Sequence, residues 1–142
     1  MADYICTGRT NYFKVRDEEA WSAWLERLSD VEDFTYTDAN GEVWHGFGCY
    51  GTPWYDDSES ADDEYPDGDF SCGTSLAAIQ AFLADGHAMI YQEAGWEKLR
   101  YIGGWAFIVT KDAYRNINLR DVALDAARDL LGAEDYSPRM DY

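Results

Sequence analysis

At 142 residues the chain has the length of one domain, and 46% apolar residues with 16% aromatics are enough to build a packed core. Eleven Lys and Arg against 28 Asp and Glu leave a net charge of −17. That balance weighs against direct binding to nucleic acid or an anionic membrane, because phosphate contacts need Lys and Arg, and the aromatic content weighs against a disordered acidic chain.

In chain order, Thr10 to Val15 is rich in aromatic and β-branched residues and predicts a strand. Asp17 then starts a helix, with Glu18 and Glu19 at its positive end, and Trp21, Trp24, Leu25 and Leu28 fall on one helical face. Val31 to Thr37 and Val43 to Tyr50 predict two strands joined at the turn signal Asn40-Gly41. Gly46 and Gly48 mark a bulge or a close backbone approach in the second.

Asp56 to Asp69 differs in kind. Eight of its fourteen residues are acidic, namely Asp56, Asp57, Glu59, Asp62, Asp63, Glu64, Asp67 and Asp69, and no apolar period runs through it. It predicts a solvated loop. A helix follows over Ser75 to Asp85 with Leu76, Ile79, Phe82 and Leu83 as its buried stripe; Thr74 or Ser75 is its expected cap and Gly86 its C′ residue. His87 to Glu93 and the apolar Tyr101 to Thr110 predict two more strands. Asn118 opens a third helix that Gly132 closes, with Val122, Ala123, Ala126, Ala127, Leu130 and Leu131 expected to face inward. Residues 133–142 predict a loose tail.

The expected fold is therefore a single α+β domain over residues 1–142, in the order β-α-β-β-α-β-β-α. Its sheet should be mainly antiparallel, with about three helices on one face.

No motif of catalysis stands out. There is no Gly-x-Ser-x-Gly, no cysteine with an evident histidine partner, no phosphate-cradling glycine loop and no singled-out carboxylate pair, so no catalytic residue and no enzyme activity is expected. His45 and Cys49, with Cys72 and His87 beyond, lack zinc-ligand spacing; Asp63, Asp67 and Gly68 fit three positions of a calcium loop that Tyr65 and Thr74 spoil. No metal and no cofactor is expected. Three irregularly spaced cysteines, Cys6, Cys49 and Cys72, suit a reducing cytosol. The N-terminus lacks a basic stretch followed by an apolar run, so no signal peptide is expected.

Two features suit a protein partner. Trp44, Trp54, Tyr55, Tyr65 and Trp96 lie on or beside predicted loops, although tucking against the sheet is the commoner fate of such side chains. Asp121, Asp125 and Asp129 recur every four residues on the third helix, opposite its apolar face, which spaces them about 6 Å apart. Asp17, Glu18, Glu19, Glu26, Asp30, Glu32 and Asp33 add negative charge on and after the first helix.

Arg9-Thr10-Asn11-Tyr12-Phe13-Lys14-Val15-Arg16-Asp17-Glu18-Glu19-Ala20, together with Glu97-Lys98-Leu99-Arg100-Tyr101-Ile102-Gly103-Gly104, resembles small acidic proteins carried by phages and mobile elements. The likeness covers twenty of the 142 residues. Several proteins of that kind block host restriction or CRISPR systems, some as DNA mimics, and the resemblance implies the same class here without supplying a functional residue.

The expected function is therefore a decoy: an acidic inhibitor in the host cytosol that binds a basic, nucleic-acid-handling protein. The segment Asp56 to Asp69 and the row Asp121, Asp125, Asp129 form its expected contact surface. An immunity protein against a basic toxin is one alternative, and a structural phage protein adapted to high salt, acidic and poor in lysine, is another.

Overall fold

A computed structural model describes residues 4–28, 31–51, 73–99 and 101–139. Six strands and three helices run in the order β1 (Ile5–Thr10), α1 (Glu18–Leu25), β2 (Val31–Thr37), β3 (Val43–Cys49), α2 (Gly73–Phe82), β4 (Met89–Glu97), β5 (Tyr101–Val109), β6 (Tyr114–Asn118) and α3 (Leu119–Leu131). The strands form one open sheet in the order β2-β3-β1-β4-β5-β6, with every neighbouring pair antiparallel. The α+β class and the antiparallel sheet agree with the sequence reading.

Alternation of side chains along each strand defines the two sheet faces. Cys6, Gly8 and Thr10 on β1 share one face with His45, Phe47 and Cys49 on β3, Met89, Tyr91 and Glu93 on β4, and Trp105, Phe107 and Val109 on β5. Helices α1 and α2 cover this inner face. Trp21 is its centre: wholly buried, it lies 5.3 Å from the Phe13 ring and 5.8 Å from that of Phe82, both edge-on. Helix α1 starts as its sequence dictates, with the Asp17 carboxylate accepting from the Ala20 N–H at 3.0 Å and Trp21 and Leu25 buried one turn apart. On α2, Ile79 is buried, as is Leu83 just beyond it, while Leu76 and Phe82 pack against the same cluster.

Four expectations need correction. The first strand is Ile5–Thr10 and not Thr10 to Val15, whose Phe13 and Val15 form only isolated bridges to His45 and Leu83. Its core-facing residues are Cys6, Gly8 and Thr10, too small to announce a strand by hydrophobicity. Strand β6 was not expected, because all five of its residues are exposed. Helix α2 begins at Gly73, so Thr74 and Ser75 fall inside its first turn and not ahead of it, and Gly86 (φ 79°) sits in the turn before β4, past the helix end at Phe82.

The fourth correction concerns α3. Its ends are as expected: Asn118 accepts from the Arg120 N–H and Gly132 closes the helix at φ 64°. It lies, however, on the face opposite α1 and α2. Gly104, which pairs with the outward Ala94, would bring a Cβ to 3.3 Å from Leu119. No residue of α3 is buried; Val122 is 52% exposed and Leu130 89%. Of the apolar residues expected to face inward, Ala127 is half-buried and Val122, Ala123, Ala126, Leu130 and Leu131 form a stripe exposed among the described residues.

Candidate partner-binding surface

The outer sheet face is built from small and apolar residues. Ile5, Thr7 and Arg9 project from β1, Ile90, Gln92, Ala94 and Trp96 from β4, Gly104 and Ala106 from β5, and Ile117 from β6. A groove of about 500 Å³ runs between this floor and α3, walled by Ile117, Leu119 and Val122 on one side and by Arg9 on the other. Beyond Arg9, the Phe34 ring raises the far edge, with the guanidinium 5.2 Å from its centroid. Tyr36 and Trp44 stack at 5.8 Å next to it, and the Trp44 Nε1–H donates to Asp38 at 3.0 Å.

Exposed carboxylates lie on both sides of the sheet, Glu18 and Glu19 on α1 and Asp121, Asp125 and Asp129 on α3. Among the described strand residues Glu32 is the one acid in the outward phase of the sheet, and Arg9 and Arg115 both point outward. Neither arginine has a carboxylate within ion-pair distance among the described residues, although Lys14 pairs with Glu42, and Arg16 and Lys111 both pair with Asp85. Asp85 is accordingly held below its ordinary carboxylate value, first by the Lys111 hydrogen bond. Asp121, Asp125 and Asp129 are all exposed, the first two on the side of α3 away from its apolar stripe and Asp129 at the edge of the stripe, and Arg128 engages Asp125 at 3.3 Å. The expected acidic row thus exists as a row. The other expected contact residues, Asp56, Asp57, Glu59, Asp62, Asp63, Glu64, Asp67 and Asp69, lie outside the described residues, as do Trp54, Tyr55 and Tyr65. Trp96 is 51% exposed.

A second cluster, not foreseen from sequence, sits on the inner face. Glu93 is 5% exposed; its Oε1 accepts from the Tyr91 hydroxyl at 3.1 Å and its Oε2 from Trp105 Nε1 at 2.9 Å. The Tyr4 and Cys6 side chains also favour its charged form. Two glycines make room: a Cβ on Gly8 would lie 2.0 Å from the Tyr91 hydroxyl, and one on Gly95 2.4 Å from the Tyr4 ring. Burial pushes the Glu93 carboxyl above its usual range, and burial likewise raises the Cys49 thiol, whose sulfur lies 3.4 Å from the Tyr91 hydroxyl. The arrangement ties β4 to β5 at the centre of the sheet through the Glu93 carboxyl. The signal in the sequence was an acid in the buried phase of Met89-Ile90-Tyr91-Gln92-Glu93.

His45 and Cys49 share the inner face of β3 and both are buried. Among the described residues no three His, Cys, Asp or Glu side chains converge as metal ligands, and no helix is long and apolar enough to cross a membrane. No family model, curated protein or solved structure matches this chain.

Proposed function

We propose that this chain is an acidic inhibitor that docks on a basic, nucleic-acid-handling protein and occupies the groove that otherwise takes DNA or RNA. The observation that supports it is the regular, exposed row of carboxylates on one helix. Carboxylates form an exposed row on α3 at intervals of about 6 Å, while the outer sheet face carries Arg9 and Arg115. A regular row on one rigid helix is a pattern that a cationic groove can recognise, which adaptation to high salt does not require. Long-range attraction between such a row and a cationic groove speeds encounter and weakens as salt screens it. The likeness to acidic proteins of phages and mobile elements points the same way.

The test is displacement. A sequence-nonspecific basic DNA-binding protein is loaded on fluorescent duplex DNA, and this chain is titrated in while anisotropy is read. Release of the duplex is expected at 50 mM salt, with the midpoint rising at least about tenfold by 200 mM, since several ionic contacts are lost to screening. Retention of the duplex at both salts contradicts the proposal. Release of a single cognate protein, with indifference to all other basic competitors, would favour an immunity protein instead.

A further inference from the structure

We infer that the outer face of the sheet is a self-association surface, and that its occupant is α3 of a second copy of this chain. Three observations converge on it. The first is the helix itself. Leu119, Ala123, Ala126 and Leu130 lie within one arc of α3 and all are exposed. A helix of thirteen residues that buries none of them has an apolar side that no described residue of its own chain covers.

The second is the groove beside it. The floor of small residues, Thr7, Ala94, Gly104 and Ala106, spans β1, β4 and β5. With strands about 4.8 Å apart, the distance from the α3 wall to the Arg9 wall is roughly 10–14 Å, close to the diameter of one α-helix with its side chains. Small floor residues let a helix backbone approach closely. The stripe and the groove lie side by side on one molecule, so a two-fold axis between two copies places each helix in the other's groove, as a closed, isologous contact requires.

The third is charge. Interface centres are depleted in charged residues, and Thr7, Ala94, Gly104 and Ala106 at the middle of the groove are uncharged. On a chain of −17 an acidic face would repel its own copy; here Asp121 and Asp125 sit on the opposite side of the helix from Ala123 and Leu130, and Asp129 lies at the edge of the stripe. Arg9 and Arg115, which have no carboxylate partner among the described residues, project from the face that would receive the incoming helix and its flanking Asp129. The residual repulsion between two acidic copies acts at long range and is screened beyond about 8 Å at physiological salt. Dimerisation should therefore tighten with salt, the reverse of docking on a basic partner.

Sedimentation velocity of the full chain over 1–200 μM, at 0.1 and 1 M NaCl, reads this directly. A concentration-dependent dimer that strengthens at 1 M is expected. Ala126→Glu, which puts a carboxylate into both copies of the contact while leaving the monomer's exposed helix intact, should raise the dimer dissociation constant about 30-fold or more. Ala94→Arg should do the same from the groove floor, so that loss of folding in one variant leaves the other to decide. Asp125→Asn, on the far side of α3, should leave the dimer in place. A monomer at every concentration in 1 M NaCl, or a dimer indifferent to both Ala126→Glu and Ala94→Arg, overturns the inference. Displacement of DNA is read separately, since Asp121 and Asp125 of the acidic row lie outside this contact.

Discussion

Gly8→Ala is expected to cost about 3 kcal/mol and to lower the melting temperature by roughly 10 °C. Gly8 has ordinary strand geometry, so the effect is one of space and not of backbone strain. The new Cβ would lie 2.0 Å from the Tyr91 hydroxyl oxygen and 2.4 Å from its Cζ. Tyr91 cannot step aside: its ring is wholly buried, with Phe47 at 6.2 Å and Trp105 at 5.5 Å, and its hydroxyl is tied to Glu93. Gly41→Ala is the contrasting case. There φ is +79° with nothing within 4 Å of the added carbon, so only the left-handed backbone is penalised, by about 1 kcal/mol. Thermal unfolding followed by circular dichroism compares the two, and equal losses would mean that the Tyr91 slot is not tight.

The second large effect is the pH dependence that Glu93 imposes. Its folded-state carboxyl is raised above the ordinary 4.5, chiefly by burial, while hydrogen bonds from Trp105 and Tyr91 pull the other way. A raised group binds its proton more tightly when folded. Its contribution is fully present below pH 4.5 and is lost as pH climbs through the raised value. Asp38 and Asp85, both lowered, behave oppositely: their contribution is present above 3.8 and lost as pH falls. Denaturant unfolding from pH 4 to 8 should therefore show the native chain losing stability with rising pH relative to Glu93→Gln, which cannot ionise. General self-repulsion acts on both chains alike, so the difference isolates Glu93. Parallel curves would contradict this account of the cluster. Glu93→Leu should cost about 3 kcal/mol at pH 4, and less as pH rises, because it strands the Tyr91 hydroxyl and Trp105 N–H in the core.

Sequence alone showed the parts of the fold where one residue type has one physical job. Asp17 and Asn118 cap helices, Gly41 and Gly132 take positive φ, and the four-residue recurrence of Trp21 and Leu25 marks a packed face. It failed where the cause lay in distant partners. Strand β1 is assembled by pairing with β3 and β4 and needs no bulk of its own, because Gly8 and Cys6 must leave space for Tyr91 and Glu93. Strand β6 is a polar edge held by β5. The amphipathic pattern of α3 was read correctly as a pattern and wrongly as a place, because periodicity says that a face is apolar and not what covers it. The acidic row was legible in the spacing of Asp121, Asp125 and Asp129; the nearby open groove was not, since its floor comes from three strands joined only by folding.

The claim underneath the proposed function is that position, and not total charge, makes this acidic chain a ligand for a basic groove. Two triple variants of equal charge test it in the displacement assay. One is Asp121→Asn, Asp125→Asn, Asp129→Asn on α3; the other is Glu19→Gln, Glu26→Gln, Asp112→Asn, all exposed and elsewhere. The first should raise the displacement midpoint about tenfold, from three exposed ionic contacts of roughly 0.5 kcal/mol each, and the second should leave it within twofold. Equal losses in the two variants would contradict a placed surface and leave only the net charge.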